Sequence, residues 1–327
     1  MIPHDQILAV GSGSQRRAWY PSLVSASTHQ RSKQVWSTRD LLAWIESHLG
    51  SRSVDEPALV ARWLVAKAIG TDPIHLYTDL DRPASDEERS VLRELVQRAS
   101  RHEPVQYLVG EAGFLGRLFD VGPGVLIPRT ATETLVQHVL TWHRGLDPAE
   151  RPDPLWIADL GTGSGCIAVT LAMHLESAKV IAVDRSEAAL AWANRNVDRH
   201  EMSDRVTCVA GDLYDGLRDR ACGGRVHAIV SNPPYISEGR WDEMAANVRS
   251  FEPAEALRAG VDGLDVVRRI ITSAPAHLLP GGLLVIEIDD HHASEACQCA
   301  NDQSGLINCR VIQDEFGDDR FVTAVRD

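Results

Sequence analysis

The chain has 327 residues, with 33 Lys and Arg against 46 Asp and Glu and a formal net charge of −13. At roughly 100–200 residues per domain, this length fits two domains or one large domain with an extension. A composition that is 44% hydrophobic and 24% charged excludes wholesale disorder and fibrous chains, no apolar run reaches the ~20 residues of a membrane span, and the acidic balance disfavours general binding to nucleic acid phosphates.

Residues 1–36 are rich in Ser, Gln, Gly and Arg, lack apolar periodicity and carry Arg16, Arg17, Arg31 and Lys33 against Asp5 alone. They read as a disordered extension, because they offer too little apolar surface to offset the entropy of ordering. The opening MIPHDQILAVGSGSQRR has no charged segment ahead of its short apolar run and is not a secretory signal, so a cytoplasmic location is expected. From Ser37 the pattern turns helical: Leu41, Leu42, Ile45 and Leu49, then Leu59, Val60, Trp63, Leu64 and Ala68, recur at helical spacing. A third helix opens on Ser85-Asp86-Glu87-Glu88, a capping box in which Ser and Glu side chains satisfy each other's free backbone N–H groups. These segments predict a small helical domain over 37–108. Residues 109–152 read as a hairpin and connector, with Gly and Pro breaking short β-prone runs in GEAGFLGRLFDVGPGVLIPR and a helix from Thr130 to Leu140.

From 153 to 327 the period changes. LWIADL, KVIAVD, RVTCVA, VHAIVS and GGLLVIEI are short apolar runs separated by helical segments, the pattern of a parallel sheet with crossover helices. LINCRVIQDEF and DRFVTAVRD are separated only by a short turn, which predicts a C-terminal antiparallel hairpin on a doubly wound α/β sheet. The six cysteines (Cys166, Cys208, Cys222, Cys297, Cys299 and Cys309) are scattered and read as reduced thiols. His291, His292, Cys297 and Cys299 are metal-ligand types close together, but the CxC lacks a second distant pair, so no metal site is expected.

Four strand ends carry the chemistry. The first runs into Asp159-Leu160-Gly161-Thr162-Gly163-Ser164-Gly165, where glycines let the backbone turn tightly against a ligand at the start of the next helix. The second ends at Asp184, placed to accept hydrogen bonds from a ribose diol. Together these say nucleoside cofactor and leave NAD and S-adenosylmethionine in competition. Cys166 stands where the last glycine of a dinucleotide fingerprint belongs, which weakens the NAD reading, and Asp159 suits a cofactor bearing an ammonium and a sulfonium. The third strand ends in Gly211-Asp212-Leu213, with Asp212 able to accept from an adenine amino group and Leu213 to pack on the ring. The fourth ends in Asn232-Pro233-Pro234-Tyr235. Two prolines hold the backbone extended, so the Asn232 side-chain oxygen and the Pro233 carbonyl aim at one planar NH2 group while Tyr235 gives it a face to stack on.

With these motifs the sequence resembles the release factor glutamine methyltransferases (the HemK/PrmC family) among the class I S-adenosylmethionine-dependent methyltransferases. The resemblance covers most of residues 37–327: PVQYLVGEAGFLG, VLIPRTATE, DLGTGSG, NPPY, FEPAEALRAGVDGLDVVRRI and the closing DEFGDDRFV. It implies a seven-stranded methyltransferase sheet, S-adenosylmethionine as cofactor, and methylation of the amide nitrogen of the glutamine in the GGQ loop of class I release factors. It also implies cofactor contacts at Gly161, Thr162, Gly163, Ser164, Gly165, Asp184, Leu213 and Asn232, which join Asp159 and Asp212 read above, and substrate contacts at Asn232, Pro233, Pro234 and Tyr235, with Asn232, Pro233 and Tyr235 catalytic. The N-terminal helices become a release-factor platform. Where the family usually has EIG followed by Gln after the fifth strand, this chain has Glu287-Ile288-Asp289 and His292. No side chain, Asp212 and Glu287 included, is assigned as a general base, since a proton can leave to water after transfer. A monomer without direct nucleic acid binding is expected. The alternatives are methylation of a ribosomal protein glutamine, against which the helical N-terminal pattern argues, and adenine-N6 methylation of nucleic acid. The latter shares NPPY but needs a phosphate-binding surface, and no basic-aromatic segment supplies one.

Overall fold

The computed structural model describes residues 35–217 and 221–327, so the expected disordered extension lies outside the described residues except at its last two positions. Helix α1 (Thr38–Gly50) starts on a capping box, with Ser37 accepting from the Asp40 amide and Asp40 from the Ser37 amide. Helix α2 (Pro57–Ile69) takes Pro at its first position, and Gly70, at φ 77°, supplies its left-handed C-cap. Helix α3 (Asp86–Ala99) opens on the capping box read from the sequence, and Glu88 also pairs with Arg82 at 2.5 Å. The short α4 (Val105–Val109) closes this group. Leu41, Ile45, Leu49, Leu64, Leu92, Val96 and Leu108 meet in one apolar cluster. Helix α4 faces two ways, because its neighbouring Tyr107 belongs to a second cluster with Val121, Val125 and Ile127.

Strands β1 (Glu111–Phe114) and β2 (Arg117–Asp120) form an antiparallel hairpin, followed by α5 (Thr130–Gly145). That helix runs past the expected Leu140 because Trp142 still packs against the core. The remaining elements in chain order are β3 (Leu155–Leu160), α6 (Cys166–His174), β4 (Ala178–Asp184), α7 (Glu187–Arg199), β5 (Val206–Ala210), α8 (Ala221–Gly224) and β6 (Val226–Ser231). After them come α9 (Glu238–Trp241), α10 (Ala246–Phe251), α11 (Asp265–His277), β7 (Leu278–Glu287), α12 (Ala293–Asp302), β8 (Leu306–Gln313) and β9 (Asp319–Arg326).

Strands β3 to β9 form one seven-stranded sheet in the order β5-β4-β3-β6-β7-β9-β8. The first five are parallel, and β9 runs antiparallel to both of its neighbours. The expected doubly wound sheet with a C-terminal hairpin is the observed one. Residues alternate between its faces: Leu155 and Ile157 of β3 pack with α5 and α6, while Ala158 and Leu160 pack with α11 and α12. The strand order reverses between β3 and β6, and in such sheets the crevice beyond the carboxyl ends at the reversal is where ligands bind. Phe321 on β9 is fully buried and fills the face toward α5. Phe321→Ala should cost about 3–5 kcal/mol, measured by urea denaturation.

Candidate active site

The loop from Asp159 to Gly165 turns on glycines in the left-handed region, at φ 75° for Gly161, 57° for Gly163 and 79° for Gly165. At Gly165 a side chain would also crowd α7, with an added Cβ only 3.2 Å from the Ala193 backbone. The amides of Gly161 and Thr162 both donate to the Val183 carbonyl, at 2.8 and 2.9 Å, and that of Gly165 to the Thr162 carbonyl at 2.9 Å. The Gly163 amide donates to Asp184 Oδ2 at 2.9 Å. A phosphate-cradling loop needs such N–H groups pointing at the ligand, and here four of them are spent inside the protein.

Two carboxyl groups flank the loop, Asp159 behind it and Asp184 beside the cleft. Asp159 is fully buried and burial pushes its carboxyl up to about 7. Its Oδ2 accepts from the Thr162 hydroxyl at 2.6 Å, while its Oδ1 makes no close hydrogen bond among the described residues, with the Ala168 amide the other donor bearing on the carboxyl. A buried orphan acceptor calls for a donor or a cation. Asp184 ties β4 to the loop, with Oδ1 accepting from the Ser186 amide at 2.9 Å, and it still borders the cleft. A cofactor bearing an ammonium, a sulfonium and a ribose therefore fits these residues. Across the cleft, Asp212 is paired with Arg269 at 2.6 Å, leaving Oδ1 for a further donor, and Leu213 lines the same wall in the left-handed region at φ 52°.

The opposite wall comes from segments for which the sequence analysis named no site residue. Gly124 to Leu126, Pro128 and Arg129 line the cleft together with Pro253, Glu255 and Ala256. Glu252 is buried and joins the two blocks: it accepts from the Ile127 amide at 3.1 Å and pairs with Arg129 at 2.6 Å. The Tyr107 hydroxyl donates to the Val125 carbonyl at 2.5 Å and steadies the same wall from α4. Asn196 of α7 holds the glycine loop from behind through the Ser164 carbonyl at 2.8 Å. The VLIPR and FEPAEAL signatures are thus two halves of one clamp.

Asn232 and Pro234 stand in the cleft wall, with Asn232 bordering the same space as the glycine loop. Ser231 fastens the end of β6 to β3, its hydroxyl donating to the Leu160 carbonyl at 2.6 Å. Pro233 is buried and Tyr235 lies behind the wall, its hydroxyl donating to Glu287 Oε1 at 3.3 Å. Asn232 Nδ2 donates to Thr132 Oγ1 at 3.0 Å, and the Thr132 hydroxyl donates to Glu287 Oε2 at 2.7 Å. Thr132 and Glu287 are both buried, and burial lifts the Glu287 carboxyl to about 7. At the departure after the fifth strand, the Asp289 carboxylate takes both oxygens to Arg240, at 2.7 and 2.6 Å.

Among the sequence-derived residues, the cleft collects Gly161 to Ser164, Asp184, Asp212, Leu213, Asn232 and Pro234. Asp159, Gly165, Pro233 and Tyr235 do not line it. A seven-stranded sheet with one reversed strand, a glycine loop bordered by buried and cleft-facing carboxylates, and an NPPY loop at the fourth strand define a class I S-adenosylmethionine-dependent methyltransferase. Residues 40–110 match the PrmC N-terminal domain and residues 132–260 the methyltransferase small domain. The release factor glutamine methyltransferase of Geobacter sulfurreducens is 39% identical over 88% of this chain and 96% of that protein. Those of Rhodopirellula baltica and Chlorobaculum tepidum are 37% and 38% identical, over 88% and 86% of this chain and 96% and 95% of theirs. The chain belongs to the release factor glutamine methyltransferase family. Asp184→Ala should weaken S-adenosylmethionine binding about 10- to 100-fold, the worth of hydrogen bonds to a charged group; isothermal calorimetry measures it, and unchanged affinity would displace Asp184 from the site.

Proposed function

We propose that this chain transfers a methyl group from S-adenosylmethionine to the side-chain amide nitrogen of the glutamine in the GGQ motif of class I peptide chain release factors. The observation that carries this reading is the placement of Asn232 at the end of β6, in the same cleft wall as the glycine loop, within a chain that matches release factor glutamine methyltransferases over most of its length. No helix among the described residues is long and apolar enough to cross a membrane. We further propose that the chain works in the cytoplasm as a monomer, without binding nucleic acid directly.

The residues divide the work as follows. Asp184 holds the ribose, Asp159 favours the cationic portion of the cofactor from behind the glycine loop, and Asp212 and Leu213 hold the adenine. S-adenosylmethionine, when bound, supplies an electrophilic methyl group on a sulfonium. An amide nitrogen is a poor nucleophile because its lone pair is delocalised into the carbonyl. Asn232 Oδ1 and the Pro233 carbonyl accept its two N–H groups, direct the lone pair away from themselves and stabilise the positive charge that develops as the N–CH3 bond forms. The proline pair contributes rigidity, and positioning of this kind supplies up to about 7–11 kcal/mol of a barrier. The proton lost from nitrogen passes to water. Clustered Leu and Val side chains support the N-terminal helices, which serve as the platform for the release factor.

Incubating a purified unmethylated class I release factor with this protein and S-adenosylmethionine should add one methyl to the GGQ glutamine, read by mass spectrometry of the tryptic peptide. Asn232→Ala should lower kcat by at least about 100-fold, as loss of one preorganised transition-state contact does. Methylation of a ribosomal protein or of DNA in place of the release factor would overturn the substrate assignment.

A further inference from the structure

The orientation of the Asn232 amide is the point on which the proposed chemistry turns. A primary amide can present oxygen or NH2 to a ligand, and the two ends are nearly the same size. If NH2 faced the substrate, donors would meet donors and the glutamine nitrogen would be repelled. Something in the protein must choose between the two, and the side chain's own shape cannot.

We propose that Thr132 and Glu287 are positioning residues that hold Asn232 with its oxygen toward the substrate amide. This rests on the glutamine methyltransferase reading above. The ionised Glu287 carboxylate can only accept, so the Thr132 hydroxyl, 2.7 Å away, spends its single proton on it. The Thr132 oxygen is then left with lone pairs alone toward Asn232, 3.0 Å away, and accepts from Nδ2. That leaves Oδ1 as the end of the amide free to face the cleft that Asn232 borders. All three groups are polar, and Thr132 and Glu287 are buried, where a hydrogen bond left unmade is costly; with Glu287 ionised, the chain of donors therefore has one low-energy polarity. Tyr235 donates to the other carboxylate oxygen at 3.3 Å, so both ends of the NPPY loop are read by the same side chain.

Protonation of Glu287 would break this polarity, because a carboxyl O–H could donate to Thr132 and free the threonine proton for Asn232 Oδ1. Arg320 from β9, Arg129 ahead of α5 and the Tyr235 hydroxyl are the charged and titratable groups that bear on Glu287. Activity is thus tied to the ionised form and gained as pH rises through its titration.

The test uses the full chain with a release factor substrate. Thr132→Val keeps the shape and removes the hydroxyl, Thr132→Ser restores it, and Glu287→Gln allows either polarity. Thr132→Val and Glu287→Gln should each lower kcat by about 10- to 100-fold, with the S-adenosylmethionine Kd within error of the parent. Thr132→Ser should recover most of the loss, and Glu287→Gln should flatten the acid limb of the kcat–pH profile. With 15N-asparagine labelling, the Asn232 NH2 signal (identified by its disappearance in Asn232→Asp) should exchange slowly in the parent and in Thr132→Ser, and quickly in the other two variants. A Thr132→Val enzyme with the parent's kcat, or with unaltered exchange at Asn232, overturns the proposal, as does a loss that Thr132→Ser shares in full. If the parent leaves the release factor unmethylated while the exchange pattern holds, the substrate reading fails and the positioning role stands.

Discussion

The Glu287 carboxylate is the constraint around which the catalytic end of this molecule is arranged. A carboxylate removed from water is tolerated only where hydrogen-bond donors converge on it. Its donors here come from the first turn of α5, through Thr132, and from the loop after β6, through Tyr235. The start of helix α5 and the ends of strands β6 and β7 must therefore meet in register, and the NPPY loop is suspended between two ends of one buried group. Ser231, bonded across to β3, ties the same loop to the strand that carries the glycine turn. The substrate wall and the cofactor wall are in this way one hydrogen-bonded body.

Charge decides what that body can hold. The glycine loop resembles a phosphate-binding turn in its residues and its left-handed glycines, yet its amides close on Val183, Thr162 and Asp184. With four of the N–H groups turned inward, Asp184 borders the cleft and Asp159 lies buried behind the loop. Such an arrangement suits a cationic nucleoside. The clamp between Arg129 and Glu252 closes the opposite side, and it explains why sequence blocks 125 residues apart both accompany this chemistry: each half is unstable alone, since a buried acid without its arginine is an uncompensated charge.

Much of this was legible in the chain. The five apolar runs, the C-terminal pair of strands and the capping box at Ser85 announced the architecture, because strands and helix starts are written in local periodicity and local donor satisfaction. The resemblance carried the cofactor residues onto Gly161 to Gly165, Asp184 and Leu213. Two things were not legible. Thr132 lay within a recognised motif without any reason to single it out from its neighbours, and Glu287 was considered only as a base and set aside. Neither has meaning until they are brought together across 155 residues. Likewise Asp184 was read as a ribose acceptor, with no sign that it also stitches the glycine loop to β4.

By itself, the sequence determined the doubly wound sheet, the glycine turn, the rigid proline pair and the chemical identity of the acceptor at Asn232, since each depends on residues within a few positions of one another. Only the tertiary structure decided which way those groups point. The direction of a hydrogen bond depends on what the partner can still donate, and the partners of Asn232 come from a helix 100 residues earlier and, beyond it, from the end of β7.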